Sequence, residues 1–248
     1  MKVKTILVSQ PAPNTEQSPY FDLSEKQKVK IDFRSFIHVE GVPAREVRNQ
    51  KIDFGNFTAV VFTSRNAVDN YFRLAEEMRY KVPDDMKYFC LSEAVAFYLQ
   101  KYVVYRKRKI YVGQRTFQEL IKQINKHKTE KFLLPSSDKL KPIIPELLNE
   151  TQVKWEKAVL FKTVVSDLSD LKDVYYDVLV FFSPSGIQSL FENFPDFKQN
   201  ETRIAVFGNS TIQAAEEAGL TVDIAAPTKE TPSMSMALEN YIKNVNKG

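Results

Sequence analysis

The sequence predicts an α/β fold with two similar domains, each built from parallel strands covered by helices. Three observations support this prediction. The segment 60–72 aligns without a gap to the segment 179–191, apolar runs alternate with stretches of helical periodicity, and 248 residues suffice for two small domains. Repeated strand–helix units form parallel sheets that bind ligands beyond the carboxyl ends of their strands.

The repeated segment is typical of a buried strand that turns directly into a helix. In each copy an apolar run ends near a serine, Ser64 or Ser183, and apolar positions at helical spacing follow. Such a turn presents free backbone N–H groups at a helix N-terminus, where carboxylates and phosphates bind. Two facing turns of this kind predict an anion-binding cleft between the two domains.

Apolar periodicity and turn residues predict the elements of the first half. Thr5–Ser9 is an apolar strand before a proline-containing loop, a weakly amphipathic short helix follows, and alternation predicts one strand over Phe33–Val39. The next predicted elements are the strand of the first repeat, a helix over Asn66–Tyr80 ended by Pro83, a strand over Lys87–Leu91, helices over Glu93–Lys101 and Thr116–Asn125, a strand over Phe132–Leu134 and a helix over Lys141–Asn149.

The second half continues the alternation of strands and helices. Its predicted elements are a long strand over Trp155–Val165, a strand over Val178–Phe182, a helix over Ser185–Phe194, a strand over Arg203–Phe207, a helix over Thr211–Ala218, a strand over Thr221–Ile224 and a helix over Ser233–Asn244. A second related pair, 89–95 and 206–212, matches Leu91 with Gly208 and Ala94 with Thr211. The first copy therefore lacks the glycine and the hydroxyl of the second.

The composition is that of an ordinary globular protein and argues against several functional classes. Hydrophobic residues make up 43% and charged residues 27%, which is not the composition of a disordered or fibrous chain. The apolar run at the N-terminus is too short for a signal peptide or a membrane span, so we predict a cytoplasmic protein without a membrane partner. The single Cys90 lies in an apolar context, and His38 and His127 lack neighbours at ligand spacing, so we expect no disulfide and no metal site.

The net charge of +4 mildly favours acidic ligands. The one dense basic run, Arg106–Lys109, follows the apolar and aromatic residues Tyr102–Tyr105. This pattern permits a nucleic-acid interpretation, but a solvated loop or a strand edge explains such a run more often. We therefore predict no nucleic-acid partner.

Four segments, in this order and spacing, resemble motifs of the uroporphyrinogen-III synthase family. They are Phe62–Val68, Phe181–Gly186, Gly208–Thr211 and Ala214–Val222. The resemblance spans almost the whole chain. It implies two flavodoxin-like domains joined by a two-stranded linker, with domain 1 over 1–33 and 166–248, an inserted domain 2 over 34–165, and linker strands near 33–37 and 161–165.

The resemblance implies that the chain cyclises the linear tetrapyrrole hydroxymethylbilane to uroporphyrinogen III. In the family, the terminal hydroxyl leaves as water, ring D reacts through its substituted carbon, and a spiro intermediate allows that ring to be inverted before closure. Such an enzyme mainly supplies conformation and positioning. The resemblance implies no cofactor; we further predict a monomer, with the preceding pathway enzyme as a candidate partner.

The candidate substrate-binding residues lie at the predicted junctions of strands and helices. Hydroxyls and helix N-termini at these junctions suit the eight carboxylates of the substrate. Ser64 and Ser183 are also predicted helix caps, with Pro184 as the first helical residue. The full set is Thr63, Ser64, Arg65, Asn66, Ser92, Ser136, Ser137, Ser183, Pro184, Ser185, Gly186, Gly208, Asn209, Ser210 and Thr211.

The chain departs from the family pattern at three places. Leu91–Ala94 replaces a Gly-x-x-Thr turn, Phe161 replaces a linker tyrosine that is a favoured candidate for assisting hydroxyl departure, and Ser9 and Gln10 stand where bacterial members often carry an arginine. Phenylalanine cannot donate a proton, so no catalytic acid is assigned. These departures leave open a catalytically impaired relative that binds a tetrapyrrole or another polyanion. An unrelated nucleotide-binding protein is disfavoured because no glycine-rich loop follows a strand.

Overall fold

A computed structural model describes residues 1–15, 17–114 and 116–247. The chain divides into two compact units: unit 1 contains Met1–His38 and the chain from Val164 onward, and unit 2 contains Val39–Thr163. The chain therefore passes from one unit to the other after His38 and after Thr163. The passages expected from the family resemblance lie after residues 33 and 165.

Strands and helices alternate along both units. The strands are β1 (Thr5–Val8), β2 (Lys30–Phe33), β3 (Ile37–Gly41), β4 (Ala59–Phe62), β5 (Lys87–Cys90), β6 (Ile110–Val112), β7 (Lys131–Ser137), β8 (Lys154–Val165), β9 (Val178–Phe181), β10 (Arg203–Phe207) and β11 (Val222–Ala226). The α-helices are α1 (Pro19–Gln27), α2 (Ala44–Asn49), α3 (Arg65–Glu77), α4 (Glu93–Leu99), α5 (Phe117–Ile124), α6 (Ile143–Asn149), α7 (Pro184–Asn193), α8 (Asn209–Glu217) and α9 (Met234–Asn246).

Unit 1 contains a parallel sheet with helices on both faces. Its strand order is β11-β10-β9-β1-β2, and neighbouring strands run parallel. Side chains alternate between the faces: Ile6 and Val8 of β1 pack in a core that includes residues of α1 and α9, whereas Leu7 packs in a core with residues of α7 and α8. Burial on both faces explains why these strands are continuous apolar runs.

Unit 2 has the same layered construction around a six-stranded sheet. Its strand order is β3-β8-β7-β4-β5-β6, and the pairs from β8 to β6 are parallel. In β4, Val60 and Phe62 share a core with residues of α3 and α4, while Ala59 and Val61 share a core with residues of α5 and α6. The predicted α/β class with parallel sheets is thereby confirmed.

The single strand predicted over Phe33–Val39 was wrong. The segment forms the end of β2 and the start of β3, which belong to different sheets. Phe36 interrupts it: this side chain is 2% exposed, lies 5.5 Å from Phe181 between ring centroids, and its carbonyl accepts a hydrogen bond from the buried Ser189 hydroxyl at 2.5 Å. Burial of one aromatic side chain thus divides an apparently continuous alternation.

Several predicted boundaries also change. Helix α3 ends at Glu77, before Pro83, because Arg79 adopts a left-handed conformation with φ of 55°. Strand β7 continues to Ser137 rather than ending at Leu134, despite Pro135. Helix α2 and strand β6 were not predicted at all. Both are short, and β6 carries no periodicity of its own beyond the aromatic and aliphatic residues that pair with β5.

Candidate functional site

Most candidate residues lie at the carboxyl ends of the parallel strands. In unit 1, α7 follows β9 and α8 follows β10, and because β9 and β10 are parallel neighbours, both helices begin at the same end of the sheet. In unit 2, the turns after β4 and β5 are neighbours in the same way. We call the segments 9–10, 34–35, 183–186, 208–211 and 227–233 the unit 1 edge, and the segments 63–66, 91–93, 113–114 and 137–138 the unit 2 edge.

The duplicated turn has the same geometry in both units. Ser64 has φ −157° and ψ 166°, and its hydroxyl oxygen accepts a hydrogen bond from the N–H of Ala67 at 3.2 Å. Ser183 has φ −156° and ψ 153°, and its hydroxyl oxygen accepts from the N–H of Gly186 at 3.3 Å. Both serines are therefore helix caps, as predicted.

Capping uses only part of the hydrogen-bonding capacity of each turn. In α3 the hydroxyl of Ser64 takes the N–H of Ala67, and helix geometry leaves the preceding N–H groups of Arg65 and Asn66 outside the ladder. Both residues are exposed. In α7, Pro184 has no N–H, so Ser185 supplies the first one in that helix. The unit 2 turn thus presents the larger number of donors to an anion.

The turn into α8 depends on the backbone freedom of glycine. Gly208 has φ 88° and ψ 146°, and its N–H donates to the carbonyl of Ala226 at 2.7 Å. A Cβ at this position would meet nothing within 4 Å, so conformation rather than space requires glycine here. Asn209 and Ser210 are exposed, whereas Thr211 is only 1% exposed. The structure therefore brings Asn209 and Ser210, but not Thr211, to the surface of the edge.

The predicted match of Leu91 to Gly208 is off by one residue. Phe62 of β4 is in register with Cys90, and Phe181, the counterpart of Phe62, is in register with Val206. Ser92 therefore corresponds to Gly208. The counterpart of Thr211 is then the buried Val95 rather than Ala94. Sheet register therefore decides which residues correspond, and a comparison of sequence letters alone cannot detect it.

The turn after β5 is less suited to anions than its counterpart in unit 1. Ser92 is the N-cap residue of α4, but its half-buried hydroxyl makes no capping hydrogen bond to the helix. The next residue is the exposed Glu93, whose negative charge at the helix N-terminus opposes a ligand carboxylate. Nearby, the guanidinium of Arg65 lies 5.4 Å from the ring centroid of Tyr98, which fixes a cation beside the start of α3.

Ser9 belongs to the unit 1 edge although it is not among the candidate residues predicted from the sequence. It follows β1, is 8% exposed, and its N–H donates to the carbonyl of Val180 at 3.0 Å. A Cβ on Gly186 would lie 3.7 Å from the hydroxyl oxygens of both Ser9 and Ser183. These two hydroxyls and the buried Gly186 therefore share one small region. The pattern of a serine directly after an apolar run was available at Ser9 as well.

The unit 1 edge contains further polar groups that are not among the predicted candidate residues. Arg34 follows β2; its guanidinium donates to the carbonyl of Asp167 at 3.1 Å and pairs with the carboxylate of Asp170 at 3.0 Å. After β11, the hydroxyl oxygens of Thr228 and Thr231 lie 2.8 Å apart, and the N–H of Thr231 donates to Thr228 Oγ1 at 3.0 Å. The guanidinium of Arg34 therefore places a cation next to the end of β1, where this chain has Ser9 and Gln10 instead of the arginine often found in bacterial family members.

The two serines of β7 occupy different environments. Ser136 is 1% exposed, and its hydroxyl donates to the carbonyl of Ala158 in β8 at 3.4 Å. Ser137, the last residue of the strand, is half-buried. Of this pair, the structure brings only Ser137 to the unit 2 edge.

Phe161 is part of the unit 2 core. Its side chain is 7% exposed and packs in the same cluster as Phe62 and Leu160. A phenyl ring in this position contributes apolar contact and carries no proton to donate. Among the described residues, no group of three or more His, Cys, Asp or Glu side chains is arranged to hold a metal ion.

Two groups in or beside the sheets have strongly raised pKa values. Burial and a hydrogen bond to Asp32 raise the pKa of Tyr176 to about 12, and this residue precedes β9 at the amino end of the sheet. Burial raises the pKa of Cys90 to about 12, so this thiol stays protonated and unreactive at neutral pH. Neither group offers proton transfer at the candidate site.

Comparisons with known proteins identify the same family as the sequence motifs. The family model described as uroporphyrinogen-III synthase HemD matches residues 22–235. The fold is similar to uroporphyrinogen-III synthetase from Helicobacter pylori, with 18% identity, a TM-score of 0.62, and coverage of 97% of this chain and 99% of that chain. It is also similar to a mutant uroporphyrinogen III synthase from the extremely thermophilic bacterium Thermus thermophilus, with 14% identity, a TM-score of 0.55, and coverage of 99% and 100%.

No curated protein matches the sequence significantly. At the identities given above, the two solved structures show a shared fold, and the assignment to a family rests on the match of the family model over most of the chain. That match confirms the resemblance seen in the four sequence segments. The chain belongs to the uroporphyrinogen-III synthase family.

Proposed function

We propose that this chain is a lyase that closes hydroxymethylbilane to uroporphyrinogen III, and that candidate residues at the sheet edge of each unit bind the substrate. Membership of a family of tetrapyrrole-biosynthesis enzymes is the observation that carries the proposal. The repeated serine-capped turn supports it, because each copy supplies backbone N–H groups where a carboxylate binds favourably. We further propose that the protein acts as a cytoplasmic monomer.

The reaction requires control of the substrate's conformation more than strong acid or base catalysis. The C–O bond of the hydroxymethyl group breaks and water leaves, after which the substituted carbon of ring D attacks the resulting electrophilic carbon. The spiro intermediate then opens and closes again with ring D inverted, and loss of a proton restores the aromatic pyrrole. The pyrroles supply the electrons for each bond, so the protein's task is to hold the rings in the productive conformation.

The proposed role of the edges is to bind the carboxylates. In unit 2, the carboxylates are proposed to bind to Thr63, Ser64 and the first N–H groups of α3, together with the cation of Arg65. In unit 1, Ser183, Ser185, Asn209 and Ser210 supply hydroxyl, amide and helix N-terminal groups. Each such hydrogen bond contributes about 0.5–1.5 kcal/mol net, or roughly 2- to 10-fold in binding.

Hydroxyl departure in this chain does not rely on an identified acidic side chain. Phe161 has no titratable group and is enclosed in the unit 2 core. The electron-rich pyrrole expels the hydroxyl as the C–O bond breaks. We propose that bulk solvent supplies the proton, so that the rate depends on positioning.

The test is a coupled assay in which hydroxymethylbilane is generated in place and the oxidised products are separated into isomers I and III. Isomer III above the level without protein is the expected result. Isomer I alone, from protein shown to be folded, would contradict the proposal. It would favour the impaired relative, whose binding of a linear or cyclic tetrapyrrole would then be measured by calorimetry.

Edge variants locate the site within the same assay. Thr63→Val and Ser210→Ala remove one exposed or half-buried polar group from each edge, and each is expected to lower kcat/KM by roughly 2- to 10-fold. Thr129→Val and Thr221→Val are matched controls, because these exposed threonines precede β7 and β11 at the amino ends of the sheets. Equal effects from edge and control variants would refute the assignment of the site to the edges.

A further inference from the structure

The segment 101–109, which we call the basic tip, connects α4 to β6 and combines exposed apolar side chains with cations. Val104 is 78% exposed and Tyr105 is 45% exposed. Arg106, Lys107 and Arg108 are exposed as well, and Lys109 is half-buried. A large aliphatic side chain left almost fully in water beside four successive cations has no role in the core of unit 2.

The positive charge of the chain is concentrated around this segment. No acidic residue occurs from 94 to 118, whereas this stretch contains six lysines and arginines. The chain as a whole carries a net charge of +4, so the remainder is net negative. In the part of the chain that the structure describes, no carboxylate forms an ion pair with the cations 106–109.

One residue attaches the basic tip firmly to the unit. The ring of Tyr102 stacks on Phe72 with 4.5 Å between centroids, and its hydroxyl donates to Asp69 at 2.6 Å. Asp69 also accepts a hydrogen bond from Tyr98 at 2.8 Å. Val104 and Tyr105 are therefore held out from a fixed base, which reduces the conformational entropy that docking would cost.

The basic tip lies away from the candidate site. It immediately precedes β6, and Ile110 at the start of β6 is in register with Tyr88 near the start of β5. The tip is thus at the amino end of the unit 2 sheet, whereas the unit 2 edge is at the carboxyl end. A partner bound to the tip leaves the unit 2 edge open.

We propose that the basic tip docks reversibly on an anionic lipid surface, with Val104 and Tyr105 in the interfacial layer and the cations on the headgroups. Apolar side chains next to Lys and Arg are the combination that such surfaces bind. The exposed valine favours lipid over single-stranded nucleic acid, because nucleic acids stack on flat aromatic or guanidinium groups and gain little from an aliphatic side chain. No helix among the described residues is long and apolar enough to cross a membrane, and docking of this kind does not need one.

One neighbouring acidic residue, Asp84, makes the proposed lipid interaction weak. Asp84 lines a groove of about 390 Å³ together with Tyr102, Val104, Arg106 and Lys109. Its carboxylate faces the same groove as two of the cations and repels lipid phosphates. The remaining cations, together with shallow insertion of Val104 and Tyr105, give peripheral membrane binding. Added salt is expected to weaken this binding.

The experiment is co-sedimentation of the full chain with vesicles of phosphatidylcholine alone or mixed with phosphatidylglycerol. Binding is expected only to the mixed vesicles and is expected to fall as salt is added. Replacing Arg106, Lys107, Arg108 and Lys109 with Gln is expected to weaken binding by about 100-fold or more. Val104→Ser with Tyr105→Ser is expected to weaken it by roughly 10-fold.

A matched control replaces the exposed Lys28, Lys172, Lys198 and Lys229 of unit 1 with Gln, which removes the same charge from the other unit. This control is expected to bind as the parent chain does, and thermal unfolding of every variant establishes that each is folded. Equal loss in both charge variants, or full binding after the Val104 and Tyr105 changes, would overturn the proposal. Displacement of the chain from vesicles by a trace of single-stranded RNA would overturn it in favour of nucleic acid.

Discussion

At the scale of single residues, Ser64 and Ser183 each combine two roles: helix capping and the proposed binding of substrate carboxylates. Each caps a helix through its hydroxyl and each stands where we propose that substrate carboxylates bind. Replacing either serine with Ala is expected to lower the free energy of unfolding by about 1 kcal/mol through loss of the cap. Urea unfolding followed by circular dichroism measures this loss.

Replacing the same serines with Asp distinguishes binding from capping. Aspartate is as good a cap as serine, so stability is expected to remain within about 0.5 kcal/mol of the parent chain. Its negative charge repels substrate carboxylates, so kcat/KM for isomer III is expected to fall by about 10-fold or more. Unchanged kcat/KM in both Asp variants would show that these caps do not contact substrate.

Gly208 and Gly219 form a matched pair for testing the turn after β10. Their φ angles are 88° and 78°, and a Cβ at either position would meet no atom within 4 Å. Changing either glycine to Ala is expected to lower the free energy of unfolding by about 1–3 kcal/mol through backbone strain. Only Gly208→Ala is expected to lower isomer III formation, because Gly219 follows α8 at its far end. Equal activity in the two variants would remove this turn from the site.

Phe161→Tyr tests whether the tyrosine of the family pattern would matter in this chain. The side chain is 7% exposed within the unit 2 core. If the new hydroxyl finds no hydrogen-bond partner there, the free energy of unfolding falls by about 1–3 kcal/mol. We expect lower stability and no more than about a 2-fold change in kcat for isomer III. A large gain in kcat would instead identify the phenol as the missing acid.

At the scale of elements, the pair Lys87 and Glu130 joins the start of β5 to the residue before β7. Their side chains meet at 2.5 Å, and the Glu130 side chain is 13% exposed. Burial alone would raise the pKa of Glu130, but hydrogen bonds from Lys87 and Thr58 and the charges of Lys87 and His127 outweigh it, so the pKa is lowered. A lowered folded-state pKa gives stability that is present above the unfolded-state pKa and is lost as the pH falls through the folded-state pKa.

Glu130→Gln tests this pair through the pH dependence of unfolding. At neutral pH the variant is expected to be less stable than the parent chain. The difference is expected to shrink as the pH falls below about 4.3, the ordinary pKa of a glutamate, and to vanish once Glu130 is protonated in both states. Glu76→Gln, on the exposed surface of α3, is the control. A difference that persists unchanged into acid would show that shape, not charge, accounts for the effect.

The elements that the sequence predicted well are those with strong local signals. The helices of the two repeats begin at a serine cap, and β9 and β10 are buried apolar runs, so short-range chemistry specifies them. Helix α2 and strand β6 have six and three residues and lacked such signals. The division of Phe33–Val39 depends on burial of Phe36 against Phe181, a residue far away in the sequence.

At the scale of the whole molecule, each unit has its own cores, and two natural probes report on unit 2 alone. Cys90 is buried among the residues of one core, and Trp155, the single tryptophan, packs against the other. Both sit in one six-stranded sheet. Labelling of the Cys90 thiol and the fluorescence of Trp155 are therefore expected to follow the same unfolding transition in urea. Clearly separate midpoints for the two probes would show that the sheet of unit 2 unfolds in parts.

The sequence by itself determined the α/β class, the duplication, the family and the serine caps, because these depend on periodicity and on short motifs that neighbouring residues complete. Only the tertiary structure decided which candidate residues reach a surface. It placed Ser136 and Thr211 inside and put Ser9 beside Ser183. It also matched Ser92 to Gly208. Exposure and sheet register arise from contacts between residues distant along the chain, and no local pattern of amino acids contains that information.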